Sequence, residues 1–122
     1  MPDPAEPCLK RVYDDPDPSD GRRILVDRLW PRGLTKDRAA VDLWLKDVAP
    51  SADLRSRWHR DPEHFDDFAA LYVDELAQNP AVDTLRAELA AHPASTLLYG
   101  AKDPAANHAV VLRDYLMGVR TA

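Results

Sequence analysis

Apolar residues follow two kinds of pattern along this chain: short runs that predict strands, and helical repeats that predict amphipathic helices. The β-branched and aromatic content of residues 9–13 and 23–27 predicts two strands. Residues 95–99 form another apolar run, which predicts the last strand. Residues 41–45 alternate between apolar and other side chains, so they fit a further extended segment, with a helix as the alternative.

Proline-containing caps mark the predicted helices. Asp61, Pro62 and Glu63 predict a helix start, because a capping aspartate precedes a proline at the first helical position and an acid in the first turn. The apolar residues that follow have the spacing of one buried face: Phe65, Phe68, Ala69, Tyr72 and Leu76. Asn79 and Pro80 end this helix and open another, which turns three side chains inward: Val82, Leu85 and Leu89.

The closing helix is predicted to begin at Asp103 and Pro104, which repeat the arrangement of cap and proline after a loop at residues 100–103. Four apolar residues can line its core face: Ala109, Leu112, Leu116 and Val119. A short helix is also expected near Ser51.

Strands separated by helices favour an α/β fold with a small, mostly parallel sheet and helices packed on it. Residues 23–26 and 96–99 are expected to be parallel neighbours or near neighbours, because both segments are short, apolar and followed by polar loops. We expect a disordered tail over residues 1–8 and a single compact domain over residues 9–122.

Composition narrows the class of protein. The chain has 122 residues, of which 45% are hydrophobic and 30% charged, as expected for one globular domain. It has no apolar stretch of membrane-spanning length and no signal-peptide pattern at its acidic start. Cys8 is the single cysteine, so an intramolecular disulfide is impossible and a cytoplasmic location is expected. The net charge of −5 disfavours nucleic acid as the partner without excluding a local basic cleft; the oligomeric state is not indicated.

The first group of candidate site residues lies at the end of the second predicted strand and directly after it: Asp27, Arg28, Trp30 and Arg32. Ligands of open α/β sheets bind at the carboxyl ends of strands. Arginines there could hold a phosphate or carboxylate through paired hydrogen bonds, and the tryptophan could stack on a planar group. This segment therefore predicts an anion site.

The second group surrounds the start of the closing helix: Lys102, Asp103, Asn107 and His108. A helix start favours anions and neutral imidazole, so His108 is the candidate acid or base near neutral pH. Both groups would meet if their strands open on the same edge of the sheet. His108 and Arg28 are thus expected to share a ligand.

Purely structural roles remain open for the same residues. Arg28 could pair with Asp27, and Trp30 could pack in the core with its indole N–H satisfied. Lys102 and Asp103 could belong to a solvated turn, and His108 could be a partly buried histidine bonded to a backbone carbonyl.

Neither a cofactor nor a metal site is predicted. His59, Asp61 and His64 do not have the spacing of a zinc site, and Cys8 has no evident partner that would make it a nucleophile. The nucleotide-binding and hydrolase motifs GxxxxGK[ST], GxGxxG and GxSxG do not occur.

Several of these segments together resemble one bacterial family, domain of unknown function 488, in its short YeaO-like branch. The resemblance extends from KRVY at residues 10–13 almost to the end of the chain. It rests on LVDRLWPRG (25–33), WLKDVAPS (44–51), TLLY (96–99), AKD (101–103) and NHAVVL (107–112). Gly100 departs from the pattern, which has alanine there. The resemblance implies a small cytoplasmic α/β domain and supplies no established activity.

Longer relatives in this family carry a Cys-His-Arg run where this chain has Asn107, His108 and Ala109. Thiol or metal chemistry is therefore not implied for this chain. Some members are labelled transcriptional regulators, but no helix-turn-helix with a basic recognition helix is found here.

Three hypotheses of function follow from these residues. The leading one is an enzyme or ligand-binding domain for a small anion, held by Arg28 and Arg32 beside Trp30. A nucleic-acid binder would use the same arginines on phosphates, and an interaction module would use the surface of Trp30 and Trp44. A concave site favours the first hypothesis, an open basic groove the second and a flat aromatic patch the third.

Overall fold

Four short strands form one sheet in the computed structural model, which describes residues 6–60 and 63–118. The strands are β1 (Cys8–Arg11), β2 (Arg22–Leu25), β3 (Leu43–Trp44) and β4 (Ser95–Tyr99). Their order is β1-β4-β2-β3, and every pairing is parallel. β2 and β4 are therefore the central strands, and their carboxyl ends open on the same edge.

Five α-helices in the described part of the chain connect and cover the strands. They are α1 (Lys36–Ala39), α2 (Ala52–Arg60), α3 (Phe65–Leu76), α4 (Ala81–Ala91) and α5 (His108–Leu116). None of the helices in the described part of the chain is both long enough and apolar enough to cross a membrane.

Alternating side chains of the central strands divide the core between the two faces of the sheet. Ile24 and Leu97 lie in the larger core, with apolar residues of α2, α3, α4 and α5. Leu25 and Leu98 point to the other face, where they pack with Val12 and with residues of the segment that follows β2. Both faces of the sheet are thus covered, as a parallel sheet requires.

The predicted fold class is confirmed, and so is the parallel pairing of the segments around Ile24 and Leu97. β4 has the predicted bounds, and Val82, Leu85 and Leu89 are buried on α4. Between residues 41 and 45 the strand alternative holds, over two residues. β1 begins at Cys8, one residue before the predicted domain boundary.

The predicted start of α5 at Asp103 and Pro104 is wrong, because Asp103 caps a turn instead. Oδ1 of Asp103 accepts hydrogen bonds from the N–H groups of Ala105 and Ala106, at 2.8 and 3.1 Å. The helix begins at His108, and Asn107 is its N-cap: Oδ1 of Asn107 accepts from the Val110 N–H at 3.1 Å. The aspartate-proline pair therefore opens a loop that ends at the true cap.

α3 begins at Phe65 rather than at the predicted Asp61, Pro62 and Glu63. Its N-cap, His64, makes no capping side-chain hydrogen bond. Asp61 and Pro62 lie outside the described residues, as do Val119 and residues 1–5 of the predicted tail.

Candidate ligand-binding site

A cavity of about 400 Å³ opens where β2 and β4 end. Backbone and side chains of the segment after β2, of α2, and of the start of α5 surround it. We call it the strand-edge pocket, and its principal lining residues are Tyr13, Asp27, Arg28, Trp30, Arg32, Arg55, Trp58, Phe68, Gly100 and His108. Five of the site residues that were predicted from the sequence therefore line the same cavity, four from the first group and His108 from the second.

Asp27 is fixed at the carboxyl ends of the strands by contacts of both its side chain and its backbone. Oδ2 accepts a hydrogen bond from the Gly100 N–H at 2.8 Å, which joins the ends of β2 and β4. The Asp27 carbonyl oxygen accepts from the indole N–H of Trp44 at 2.7 Å. Oδ1 is buried and, among the described residues, receives no hydrogen bond of normal geometry.

His108 turns its ring toward this carboxylate from the first position of α5. Nε2 lies 3.0 Å from the carbonyl oxygen of Val26 and 3.1 Å from Oδ1 of Asp27. Because a carbonyl oxygen can only accept, Nε2 carries the proton in this arrangement. The hydrogen-bond geometry favours Val26, so Nε2 lies close to the Asp27 carboxylate without making a second full hydrogen bond to it. His108 is 9% exposed and lines the pocket.

Arg28 is held in the pocket wall by the turn before α2. Its Nε donates to the Pro50 carbonyl at 3.2 Å, and its Nη2 donates to the Ala49 carbonyl at 3.3 Å. The same turn is fixed by the buried hydroxyl of Tyr72, which donates to the Val48 carbonyl at 2.5 Å. Burial raises the pKa of Tyr72 well above its ordinary value, so this hydroxyl stays a donor.

Trp30 and Arg32 belong to the same loop and differ in burial and in hydrogen bonding. Trp30 is half-buried against the smaller core cluster, and its indole N–H donates to the Leu34 carbonyl at 2.8 Å. It also meets Trp44 edge to face at 5.5 Å between ring centroids. Arg32 is exposed, and its guanidinium has no partner among the described residues. Trp30 is thus a rigid wall, while Arg32 is available to a ligand.

Three lining residues, Trp58, Phe68 and Arg55, were not predicted as site residues from the sequence. Trp58 stacks on Phe68 with 4.6 Å between ring centroids, and both line the pocket. Arg55 reaches the same cavity from α2. The available signal was the spacing of Arg55 and Trp58, since residues three apart share one face of a helix.

Lys102, Asp103 and Asn107 do not line the strand-edge pocket. Lys102 is exposed, and Asp103 and Asn107 are used in the loop and helix cap described above. Two N–H groups hold the pKa of Asp103 below its usual value, those of Ala105 and Ala106. His108 is therefore the member of the second group that reaches the first.

A larger cavity of about 630 Å³ shares Arg28 and Ala49 with the strand-edge pocket. Four carboxylates line it: Asp47, Asp53, Asp74 and Glu75. They would repel an anion, so we assign the candidate site to the smaller, arginine-lined cavity. Within residues 6–60 and 63–118, no three histidine, cysteine or carboxylate side chains are grouped as a metal ion would require.

Comparison with known proteins places the chain in a family. Residues 7–120 match the family described as "Inactive DUF488-N3 subclade". The uncharacterised protein YeaO of Escherichia coli is 47% identical over 107 residues, which is 88% of this chain and 93% of that protein. Uncharacterised proteins of Mycobacterium tuberculosis and Mycobacterium bovis are each 46% identical over 110 residues, 90% of this chain and 92% of theirs.

No solved structure matched the chain significantly. The family match covers the whole sheet, the five helices and every residue of the strand-edge pocket. It confirms the resemblance drawn from the sequence motifs. This chain belongs to the DUF488 family, in the YeaO-like group described as its inactive N3 subclade.

Proposed function

We propose that this domain binds a small anionic ligand in the strand-edge pocket and holds it without chemical conversion. The observation that carries the proposal is the charge of the pocket lining. Three arginines, Arg28, Arg32 and Arg55, line one cavity, and Asp27 is the single carboxylate among the described residues that line it. Guanidinium groups bind phosphate and carboxylate through paired, charge-assisted hydrogen bonds, and they do so best where water is partly excluded.

The shape of the pocket supports a small ligand over a long polymer. A cavity of about 400 Å³ is within the usual size of small-molecule sites. The Trp30, Trp58 and Phe68 rings supply apolar wall area beside the arginines. A nucleic-acid strand leaving the pocket past Arg28 would meet the four carboxylates of the neighbouring cavity. Those charges oppose a phosphate backbone, so the nucleic-acid hypothesis is less favoured.

Binding without conversion is supported by the groups that line the pocket. Its described lining contains no cysteine, serine or threonine that could serve as a nucleophile. Nε2 of His108 is bound to the Val26 carbonyl and lies beside Asp27, so we give the ring a hydrogen-bonding role toward a ligand, and the acid or base role expected from the sequence stays a prediction. The description of the subclade as inactive agrees with this proposal.

The test is a thermal-shift screen of phosphate monoesters and carboxylates, each paired with a neutral compound of the same carbon skeleton. We expect anions to raise the unfolding temperature and their neutral partners to leave it unchanged, because only bound ligand stabilises the folded state. Arg28→Ala should remove the response. Its ligand-free unfolding temperature is measured alongside, since Arg28 also binds the turn at Ala49 and Pro50.

Two outcomes would contradict the proposal. One is a screen in which no anion stabilises the protein more than its neutral partner. The other is a response that survives in folded Arg28→Ala and Arg32→Ala proteins. A single-stranded oligonucleotide in the same screen tests the alternative function directly, and stabilisation by it alone would favour nucleic-acid binding.

A further inference from the structure

We infer that the ligand of the strand-edge pocket carries a hydrogen-bond donor next to its anionic group, as a hydroxy acid or a hydroxylated phosphate ester does. The inference rests on the proposed function and narrows the class of ligand. It comes from the contacts of the His108 ring: Val26 and Asp27 lie against Nε2, and Nδ1 is left for a ligand.

The first step is the position of the proton on His108. Nε2 lies within hydrogen-bond distance of two oxygens, the Val26 carbonyl at 3.0 Å and Oδ1 of Asp27 at 3.1 Å. The carbonyl has no proton to give, and a carboxylate beside Nε2 further favours N–H at that atom. Neutral His108 is therefore the Nε2–H tautomer, and Nδ1 keeps its lone pair.

The second step is that Asp27 cannot easily turn away from the histidine. Its Oδ2 is bound to the Gly100 N–H at 2.8 Å, and a Cβ atom at position 100 would lie only 2.9 Å from that oxygen. The absence of a side chain at Gly100 thus lets the carboxylate sit against the end of β4. The tautomer of His108 is set by groups that are already in place before a ligand arrives.

The third step is that Nδ1 is left for the pocket. Within the described residues, the hydrogen bond of the His108 ring is made by Nε2, to the Val26 carbonyl. The ring lines the cavity that Arg28, Arg32 and Arg55 also line. A ligand in that cavity meets the cationic donors of the arginines and, at unprotonated Nδ1, an acceptor. A plain carboxylate or phosphate would satisfy the arginines and leave Nδ1 without a donor.

The experiment has one arm that needs no ligand. Long-range ¹H–¹⁵N NMR of the full chain separates protonated from unprotonated ring nitrogens, and His108→Gln identifies which signals belong to His108. We expect an unprotonated Nδ1 beside a protonated Nε2 in the folded chain. A protonated Nδ1, in the neutral ring or in the imidazolium, would overturn the inference whatever the ligand.

The second arm compares 3-phenyllactate with 3-phenylpropionate, which share a ring and a carboxylate and differ by one hydroxyl. We expect 3-phenyllactate to bind about two- to tenfold more tightly by calorimetry, the range that one added hydrogen bond gives. His108→Gln can still donate to the Val26 carbonyl, yet it lacks an acceptor at the Nδ1 position. It should equalise the two acids, while the control His92→Gln, at the exposed end of α4, should not.

The outcomes distinguish the two proposals. Equal binding of the acids to the unaltered protein overturns the donor inference and leaves the anion site standing. Failure of both acids, together with failure of the phosphate esters of the screen, contradicts the proposed function itself.

Discussion

Nε2 of His108 lies 3.1 Å from Oδ1 of Asp27, and this contact joins the start of the last helix to the end of a central strand. The Asp27 carboxylate also binds the N–H of Gly100 at the end of β4. One side chain therefore connects the three elements that meet at the strand-edge pocket. The connection explains how a motif near residue 28 and a motif near residue 108 come to line one cavity.

Arg32→Ala is expected to weaken binding of a cognate anion by about 1–3 kcal/mol, the range for a lost charge-assisted hydrogen bond. Stability should change little, because Arg32 is exposed and its guanidinium has no partner among the described residues. Calorimetric titration and urea unfolding measure the two effects. Arg38→Ala is the matched control, since Arg38 is exposed and lies outside the pocket. Equal loss of affinity in both variants would show a non-specific charge effect.

Tyr72→Phe is expected to lower the free energy of unfolding by about 1–3 kcal/mol, because it leaves the Val48 carbonyl buried without its donor. It should also weaken anion binding modestly, since the turn after Val48 supplies both carbonyls that hold Arg28. The control is Tyr115→Phe, whose hydroxyl makes no hydrogen bond within the described residues. Unchanged stability in Tyr72→Phe would contradict the role given to this hydroxyl.

Asp20→Asn is expected to destabilise the protein at neutral pH by about 2–4 kcal/mol, because Asp20 is buried between Lys10 and Arg23. Burial alone would raise the pKa of Asp20, but the Asp17 N–H, Lys10 and Arg23 together lower it below its ordinary value of 3.8. A lowered folded-state pKa gives stability that is present above the unfolded pKa and is lost as the pH falls through the folded one.

Urea unfolding as a function of pH tests this assignment. The unaltered protein should lose stability below about pH 4, and Asp20→Asn should lose less over the same range. Asp15→Asn serves as the control, because Asp15 is an exposed residue of the same loop. Parallel acid profiles for the unaltered protein and Asp20→Asn would show that Asp20 is not the group responsible.

Gly100→Ala is expected to cost up to about 1 kcal/mol of stability, because its methyl group would press on Oδ2 of Asp27 from 2.9 Å and move the carboxylate. The shift should also appear in the NMR signals of the His108 ring. The test matters because alanine is the residue that the family pattern has at this position. Unchanged His108 signals in a folded variant would mean that Asp27 does not depend on the missing side chain.

Much of the fold could be predicted because hydrophobic periodicity and strand composition are local signals. The run at residues 95–99 predicted β4, and the spacing of Phe68, Tyr72 and Leu76 predicted the buried face of α3. The start of α5 was missed because Asp103 and Asn107 are both good capping residues. The choice between them depends on the path of the loop, which the sequence pattern does not contain.

The part of the candidate site that directly follows the strands could be predicted from the sequence. Arg28 and Trp30 follow β2 directly, and parallel topology then brings the end of β4 beside them. Arg55 and Trp58 could not be placed in the pocket, because their position depends on how α2 packs against α3. The contacts of His108 with Val26 and Asp27 likewise join residues that are far apart in the sequence. The sequence could therefore predict only that His108 lies near the end of β2.

The most direct test of the account is a ¹H–¹⁵N NMR titration of the full chain with phenyl phosphate, which offers the arginines an anion and the aromatic walls a ring. We expect saturable shifts concentrated in the amides of residues 27–30, 32 and 100–101, weakened in Arg32→Ala and retained in Arg38→Ala. Shifts spread over other surfaces, or none near Arg28 and Gly100 at saturating phenyl phosphate, would contradict an anion site at the edge of the sheet.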